Sequence, residues 1–285
     1  MRQIDLRGLS IPCLGQGGWE LGDDTAKSTG ESASLLRGLE LGITLIDTAE
    51  MYGGGNSEEL IGRALHRAPR GSYQLCSKVL PQNAGRERIF AHCEESLRRL
   101  GTDYLDIYLL HWRGEIPLAE TVACMEELVR QGKILRWGVS NFDVSDMEEL
   151  FAVPGGEGCA VNQVLYHIGS RGIEFDLLPW CRTHNVAVMA YCPLAQGGKL
   201  RRYGKNVLVE PLLIELAEKY SCTAQQILLA FVLRQDGVIA IPKSANPHHT
   251  EQNARAAELL ISGDDWARVD RVFRPPTEKM HLDIE

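Results

Sequence analysis

From Leu14 onward the chain alternates between two hydrophobic patterns. Short apolar runs fill 45–47, 73–78, 106–111, 134–140, 159–163, 186–191 and 238–241, with a first one beginning at Leu14. Runs of this length predict strands buried on both faces. Between them, apolar residues recur every three or four positions over 34–41, 57–64, 86–100, 118–131, 144–151, 175–184, 211–220, 223–235, 247–260 and 264–272, which predicts helices. The punctuation agrees. Gly42, Gly101 and Gly132 stand where C-caps belong, and Asp143 or Ser145, then Ser262 or Asp264, stand where N-caps belong. Asn56-Ser57-Glu58-Glu59 places acids in the first turn of its helix. Ahead of all this, residues 3–13 read as two short strands around Arg7-Gly8-Leu9, a hairpin.

Counted from Leu14 there are eight strand candidates, one every roughly 30 residues, the repeat of a (β/α)8 barrel. No charge block, low-complexity tract or Pro/Ser-rich linker divides the 285 residues. One α/β domain over 1–285, a TIM barrel with an N-terminal β-hairpin, is therefore the economical architecture. An open doubly wound sheet alternates in the same way, but its first strand-to-helix turn normally carries a glycine fingerprint. Leu14-Gly15-Gln16-Gly17-Gly18-Trp19 is glycine-rich and lets backbone approach a ligand or merely turns tightly; it lacks the third glycine opening a helix.

Composition narrows the class. A chain that is 44% hydrophobic and 24% charged, with a formal net charge of −8, is not built to coat nucleic acid or an anionic membrane. No run approaches the roughly 18 apolar residues of a membrane helix, and the first residues lack a secretory pattern, so a cytoplasmic protein is expected. The eight cysteines contain no Cys-x-x-Cys pair and read as small buried hydrophobes in a reducing compartment.

The candidate chemistry lies at the ends of the early strands. Asp47 ends one apolar run, Tyr52 follows five residues later before Gly53-Gly54-Gly55, Lys78 ends the next, and His111 the one after. In a barrel such positions face one mouth. A phenol is a weak acid at neutral pH, but a nearby ammonium stabilises its phenolate and lowers its pKa. Lys78 could be that ammonium, Asp47 its ion-pair partner, and His111 a second hydrogen bond to the oxygen that Tyr52 protonates. Taken singly, each residue also has a plain reading: a turn cap, a loop aromatic, a solvated strand end, a satisfied core histidine.

On these residues the chain resembles the aldo-keto reductase superfamily. The motif from Gly42 through Ile46-Asp47-Thr48-Ala49 to Tyr52 and Glu58 looks like its first signature. Ser77-Lys78-Val79, Leu109-Leu110-His111-Trp112, Gly138-Val139-Ser140-Asn141-Phe142 and Ile241-Pro242-Lys243-Ser244 look like the others, in the family's order. Thr102-Asp103-Tyr104-Leu105-Asp106 and the stretch 159–167 are similar to the bacterial branch that includes methylglyoxal reductases. The resemblance implies metal-free, NADPH-dependent reduction of a small carbonyl compound, with NADH a weaker donor. Tyr52 would be the general acid, its pKa depressed by Lys78 and Asp47, and His111 would orient the carbonyl. Trp19 and Trp112 would line the substrate pocket, core packing being their plain alternative.

By the same resemblance Ser140, Asn141 and Gln163 would bond the nicotinamide carboxamide, and Tyr191 would stack on its ring. Leu194 and Gln196 would pass the pyrophosphate, Lys243 and Ser244 would meet the 2′-phosphate, and Gln252 and Asn253 would lie near the adenine. Two positions depart from the family pattern. Cys192 replaces a frequent serine, and His249 (or the adjacent His248) stands where arginine commonly meets the 2′-phosphate. A metal-dependent hydrolase would need converging His or carboxylate ligands, and no His-x-His lies on an early strand. A Schiff-base aldolase using Lys78 or Lys243 would need no cofactor, and a cofactor-binding sensor subunit would not turn over. The loops at 20–29, 112–117 and 192–206 carry no readable substrate code, and residues 280–285 could cover the pocket. Nothing reads as a dedicated interface, so a monomer is expected.

The histidine yields a prediction. Arginine is always charged, whereas an ordinary histidine gains its charge only below about pH 6.5. The preference for NADPH over NADH, measured as a ratio of dissociation constants, should shrink between pH 6 and pH 8. An unchanged ratio would remove His249 and His248 from the phosphate site.

Overall fold

The structure, a computed structural model, describes residues 1–200 and 205–284. Two antiparallel strands, β1 (Gln3–Leu6) and β2 (Leu9–Pro12), pair with Ile4 opposite Ile11. Eight parallel strands follow: β3 (Gly15–Gly17), β4 (Leu45–Asp47), β5 (Gln74–Val79), β6 (Leu105–Leu110), β7 (Ile134–Ser140), β8 (Val161–Leu165), β9 (Ala187–Tyr191) and, after a small antiparallel hairpin β10 (Lys199–Leu200) and β11 (Lys205–Asn206), β12 (Val238–Ala240). They lie side by side in chain order from β3 to β12. Bridges from Leu14 to Ala240 and from Gly17 to Lys243 bring the two ends together, with the Gly17 amide donating to Pro242 O at 3.0 Å. The result is the nearly closed (β/α)8 barrel that the repeat predicts.

The connecting helices are α1 (Ser28–Glu40), α2 (Asn56–Leu65), α3 (Ile89–Leu100), α4 (Leu118–Arg130), α5 (Val144–Ala152), α6 (Leu177–Thr183), one irregular turn α7 (Ala195–Gly198), α8 (Pro211–Lys219), α9 (Ala224–Leu233), α10 (Pro247–Ala256) and α11 (Gly263–Val272). Their ends follow capping chemistry. Asp143 and Asp146 form a capping box on α5, Thr223 and Gln226 form one on α9, and the Ser262 side chain caps α11. Several boundaries differ from the sequence expectation: α3 begins at Ile89 rather than 86, β8 spans Val161–Leu165 rather than 159–163, and α10 ends at Ala256 rather than 260. Helix α1 begins six residues before 34, because Glu31 turns inward and accepts the Gly22 amide at 3.0 Å, giving the first turn a polar anchor that hydrophobic spacing does not register. Helix α2 carries Glu58 and Glu59 in its first turn as expected; left-handed Gly55 (φ 104°) precedes it, and a Cβ there would meet the Arg99 side chain at 2.7 Å.

The hairpin closes the end of the barrel where the strands begin. Arg136 of β7 donates to the carbonyls of Leu6 and Arg7, and Arg7 donates to Cys159 O at 3.0 Å. Chemistry is thereby left to the opposite end, where the strands finish and the longer loops lie. Six of the eight cysteines are buried as expected, but Cys192 and Cys222 are only partly so, because both sit in loops rather than in the core.

Gly138 marks a close approach in the wall. A Cβ on it would stand 2.2 Å from Val161 O of the neighbouring strand, a backbone atom with no rotamer to yield. Gly138→Ala should therefore destabilise the barrel by roughly 2–4 kcal/mol, read as a shifted denaturant midpoint with unchanged slope. A loss within about 0.5 kcal/mol would contradict the closeness of β7 and β8.

Candidate active site

Residues separated by more than 60 positions meet at the open end because consecutive parallel strands deliver them. Asp47 is the last residue of β4, Lys78 the penultimate residue of β5, and His111 the first residue beyond β6. Tyr52 opens the short turn Tyr52–Gly55, in which Gly53 and Gly54 are left-handed. Lys78 Nζ donates to Asp47 Oδ2 at 2.8 Å, to Thr48 O at 2.7 Å and to Tyr52 OH at 3.0 Å, so all three ammonium protons are placed. The lysine is wholly buried and Asp47 and Tyr52 nearly so. Beyond Asp47 the network continues into the barrel: Gln163 Nε2 donates to Asp47 Oδ1 at 2.8 Å and lies 2.9 Å from Met189 Sδ.

Electrostatics here departs from expectation in one respect. Burial is the largest influence on Tyr52 and pushes its phenol above the ordinary value; Lys78 pulls it down without cancelling that, and Asp47 pushes it further up. The expected depression by Lys78 and Asp47 is corrected accordingly: Asp47 opposes the phenolate directly. Asp47 instead acts on the lysine. Burial disfavours the Lys78 ammonium, and Asp47, with Tyr52 and Cys76, outweighs burial and raises the lysine's pKa. At neutral pH the group is thus a charged Lys78–Asp47 pair beside a protonated phenol.

His111 is held neutral. Burial first, then the like charge of Lys78, bring its pKa down to about 3. Its ring lies 5.8 Å from that of Tyr52, nearly edge-on, and its Nδ1 is buried with no hydrogen-bond partner in the protein. A neutral imidazole can both donate and accept a hydrogen bond, one through each ring nitrogen. Trp19 packs edge-on against Tyr52 at 4.9 Å and Trp112 against His111 at 4.9 Å, so four aromatic rings form a continuous wall. Trp19 is 52% exposed and Trp112 is 37% exposed, which sets aside core packing as their role. Trp19 is carried by a loop tied to β4: Thr48 Oγ1 donates to Ser57 Oγ, which donates to Gly18 O, each at 2.8 Å. Sequence reading missed Thr48 and Ser57, whose signal, adjacency to Asp47 and to the helix start, is too common to single them out.

The other predicted residues lie along the neighbouring strand ends. Ser140 ends β7 and is buried; Asn141 is left-handed (φ 58°), donates its amide to Gln163 O at 2.9 Å and accepts from Tyr191 OH at 3.0 Å. After Tyr191, which ends β9, Cys192, Ala195, Gln196, Gly197 and Gly198 all take positive φ around Leu194, a succession of tight turns. Lys243 and Ser244 precede α10, whose first turn carries His248 and His249, both exposed, and whose middle carries Gln252 and Asn253. This region is tied to α1, since Ser34 Oγ donates to Ser244 O at 3.0 Å and lies 2.7 Å from Thr250 Oγ1. Of the loop 192–206, residues 201–204 lie outside the described residues, as does Glu285 of the tail. The tail is docked rather than loose: Lys279 Nζ bonds Asp143 at 2.9 Å and Asp176 at 2.6 Å, and Ser170 Oγ bonds Asp283 at 2.7 Å, all at the strand-end face.

A buried Asp-Lys-Tyr trio beside a neutral histidine, on successive strands of a (β/α)8 barrel, calls for comparison with barrels of the same layout. The aldo/keto reductase family model matches residues 13–274. The chain belongs to the aldo/keto reductase family. It is 51% identical to methylglyoxal reductase YeaE of Escherichia coli K12, over 97% of this chain and 96% of that one. A further relative in that organism, an NADH-specific methylglyoxal reductase, is 31% identical over 90% and 93% of the two chains. An aldo-keto reductase from Klebsiella pneumoniae solved in complex with NADPH superposes with a TM-score of 0.95 at 49% identity, covering 100% of both chains. Another Klebsiella pneumoniae structure, with NADP and acetate, also gives 0.95, at 50% identity over 98% and 97% of the chains. As an aldo/keto reductase the chain is an oxidoreductase. Among its described residues no helix is long and apolar enough to cross a membrane, and no cluster of three His, Cys, Asp or Glu side chains could hold a metal ion.

Two buried histidines make stability acid-sensitive. His111, at about 3, and His167, brought to about 4 by burial against the opposing pull of Asp283, bind protons more weakly folded than unfolded. The unfolded chain therefore gains protons first as pH falls below about 6.5, and each residue's contribution is lost progressively down to its folded pKa. Between pH 7 and pH 4.5, His111→Gln and His167→Gln should each spare roughly 2 kcal/mol of the wild-type decline in unfolding free energy. Parallel pH profiles for wild type and variants in denaturant titrations would refute the neutral-histidine assignment.

Proposed function

We propose that this aldo/keto reductase reduces small aldehydes and ketones, with 2-oxoaldehydes such as methylglyoxal the foremost substrates, using NADPH and, more weakly, NADH. The observation that carries the reading is the 3.0 Å contact between the Tyr52 hydroxyl and a fully buried Lys78 ammonium that is itself neutralised by Asp47. The identity with YeaE and the NADPH and NADP complexes of the Klebsiella pneumoniae relatives support the choice of substrate and cofactor.

The donor set suits a nicotinamide dinucleotide phosphate. Ser140, Asn141 and Gln163 offer a hydroxyl and two amides at one height of the barrel, where a carboxamide could be fixed, and Tyr191 beside them offers an aromatic face. The left-handed turns over 192–198, around Leu194 and Gln196, suit a pyrophosphate, because such turns present backbone N–H groups to anions. Lys243, Ser244 and the N-terminus of α10 suit a phosphate, with His249, Gln252 and Asn253 alongside. NADPH, when bound, supplies the hydride that the carbonyl carbon accepts.

Tyr52 supplies the matching proton. Because its pKa is raised, the phenol is protonated at neutral pH and available as a donor. As the carbonyl oxygen gains negative charge, the Tyr52 proton moves to it, and the phenolate left behind sits 3.0 Å from the Lys78 ammonium. That stabilisation operates where water is excluded and no dipole must reorganise. Asp47 keeps the lysine charged through the cycle, and neutral His111 donates a hydrogen bond to the same oxygen. Trp19 and Trp112 close the pocket around a small substrate.

Loss of NADPH absorbance at 340 nm with methylglyoxal tests the reading. Tyr52→Phe removes the proton and leaves the ring, and should lower kcat by roughly 10²–10⁴-fold, with cofactor affinity little changed. A wild-type protein that binds NADPH tightly yet turns over no aldehyde would instead favour a cofactor-binding sensor.

A further inference from the structure

At the rim of the strand-end face, Glu20 reaches across from the β3–α1 loop to the β12–α10 loop, its Oε2 standing 3.7 Å from Lys243 Nζ. The glutamate is 63% exposed in its side chain, yet its backbone is fixed and left-handed, with φ 60°. Both neighbours hold it there. Trp19 packs on Tyr52 on one side, and on the other Leu21 is fully buried and donates its amide to Gly18 O at 3.1 Å. A non-glycine residue kept at positive φ by flanking anchors is a position the surrounding structure over-determines. Its only outward group is a carboxylate, and that carboxylate faces a lysine.

The charges nearby give this pair weight. Arg37 of α1 is already committed to Glu251 at 2.8 Å and Glu40 at 2.7 Å, and Lys27, just before α1, stands 3.2 Å from Asp24. His248 and His249 lie exposed in the first turn of α10. Lys243 is the cation of the β12–α10 loop, and Glu20 stands within ion-pair range of it. An anion arriving at Lys243 must displace or tolerate a carboxylate held within ion-pair range.

We propose that Glu20 is a built-in anionic competitor for Lys243, a specificity-determining residue that weakens the 2′-phosphate of NADPH selectively and so narrows the gap between NADPH and NADH. The inference rests on the reading that Lys243 meets that phosphate. A ligand lacking the phosphate gains nothing from a freed Lys243, so the effect is confined to phosphorylated ligands. Because Glu20 adjoins Trp19, phosphate binding at Lys243 also releases one tether of the loop that carries the pocket's most exposed tryptophan.

Dissociation constants for NADPH, NADH and adenosine 2′,5′-bisphosphate, from calorimetry and from quenching of tryptophan fluorescence, test this in wild type, Glu20→Gln, Lys243→Met and the double variant. Glutamine keeps the size and the backbone demands of glutamate. Glu20→Gln should tighten NADPH and the bisphosphate by roughly three- to tenfold at low salt, leave NADH within error, and lose most of that gain at about 0.5 M salt. In the Lys243→Met background the same substitution should change NADPH affinity by less than twofold. Equal shifts for NADPH and NADH, or no shift, would overturn the competitor role while a selective NADPH loss in Lys243→Met left the phosphate site standing. If Lys243→Met weakened both cofactors alike, the placement of the phosphate would fail first and this inference with it.

Discussion

The whole strand-end face is arranged around a lysine that has no contact with water. An ammonium removed from water costs several kcal/mol even after relaxation, and the cost is offset only if its charge is paired and its protons are bonded. Lys78 meets both conditions through Asp47, Thr48 O and Tyr52 OH, one acceptor from a strand end, one from backbone and one from a turn. Each acceptor must therefore be placed to within a few tenths of an ångström. That requirement fixes the end of β4 relative to β5 and the turn after Asp47 relative to both. Removing Asp47 alone would leave a buried uncompensated charge, so the pair constrains the fold as much as it serves the chemistry.

The same burial that makes the lysine expensive also decides the character of its neighbours. A dry site pushes the phenol up and the imidazole down, leaving both neutral, while the ion pair stays charged. Neutral groups that become charged only during reaction are the arrangement in which a fixed ammonium contributes most, since its field acts on the transition state more than on the resting state. A Tyr52 whose pKa fell far below ordinary would be a phenolate at rest and a poor proton donor. The raised pKa is thus compatible with reduction, provided the developing alkoxide is the stronger base.

Much of this was legible in sequence because barrels report their topology through spacing. Eight apolar runs at a regular repeat locate the strands, and polar residues at their ends locate the face where Asp47, Lys78 and His111 converge. What spacing does not carry is the sign of a balance between opposed influences. That Lys78 lies near Tyr52 could be read from the chain, but whether its charge or the burial prevails depends on how completely the turn covers the ring. Apolar spacing misses the first turns of helix α1 for a related reason: Glu31, turned inward to the Gly22 amide, breaks the pattern that marks a helix face.

Backbone participants are invisible to a residue pattern. Thr48 serves Lys78 through its carbonyl, so any residue type would supply the bond, and the hydroxyl that distinguishes threonine is used elsewhere, on Ser57. Gln163 poses a related difficulty. The resemblance assigns it to the cofactor carboxamide, whereas its amide nitrogen is committed to Asp47 and Met189, leaving its oxygen as the atom for a ligand. The glutamine therefore stands between the two halves of the site, since its amide nitrogen holds Asp47 while its strand position pairs with Ser140. Asp47 in turn accepts from Lys78, and Lys78 donates to Tyr52 OH, so Gln163 of β8 and the Tyr52 hydroxyl are joined by three successive hydrogen bonds.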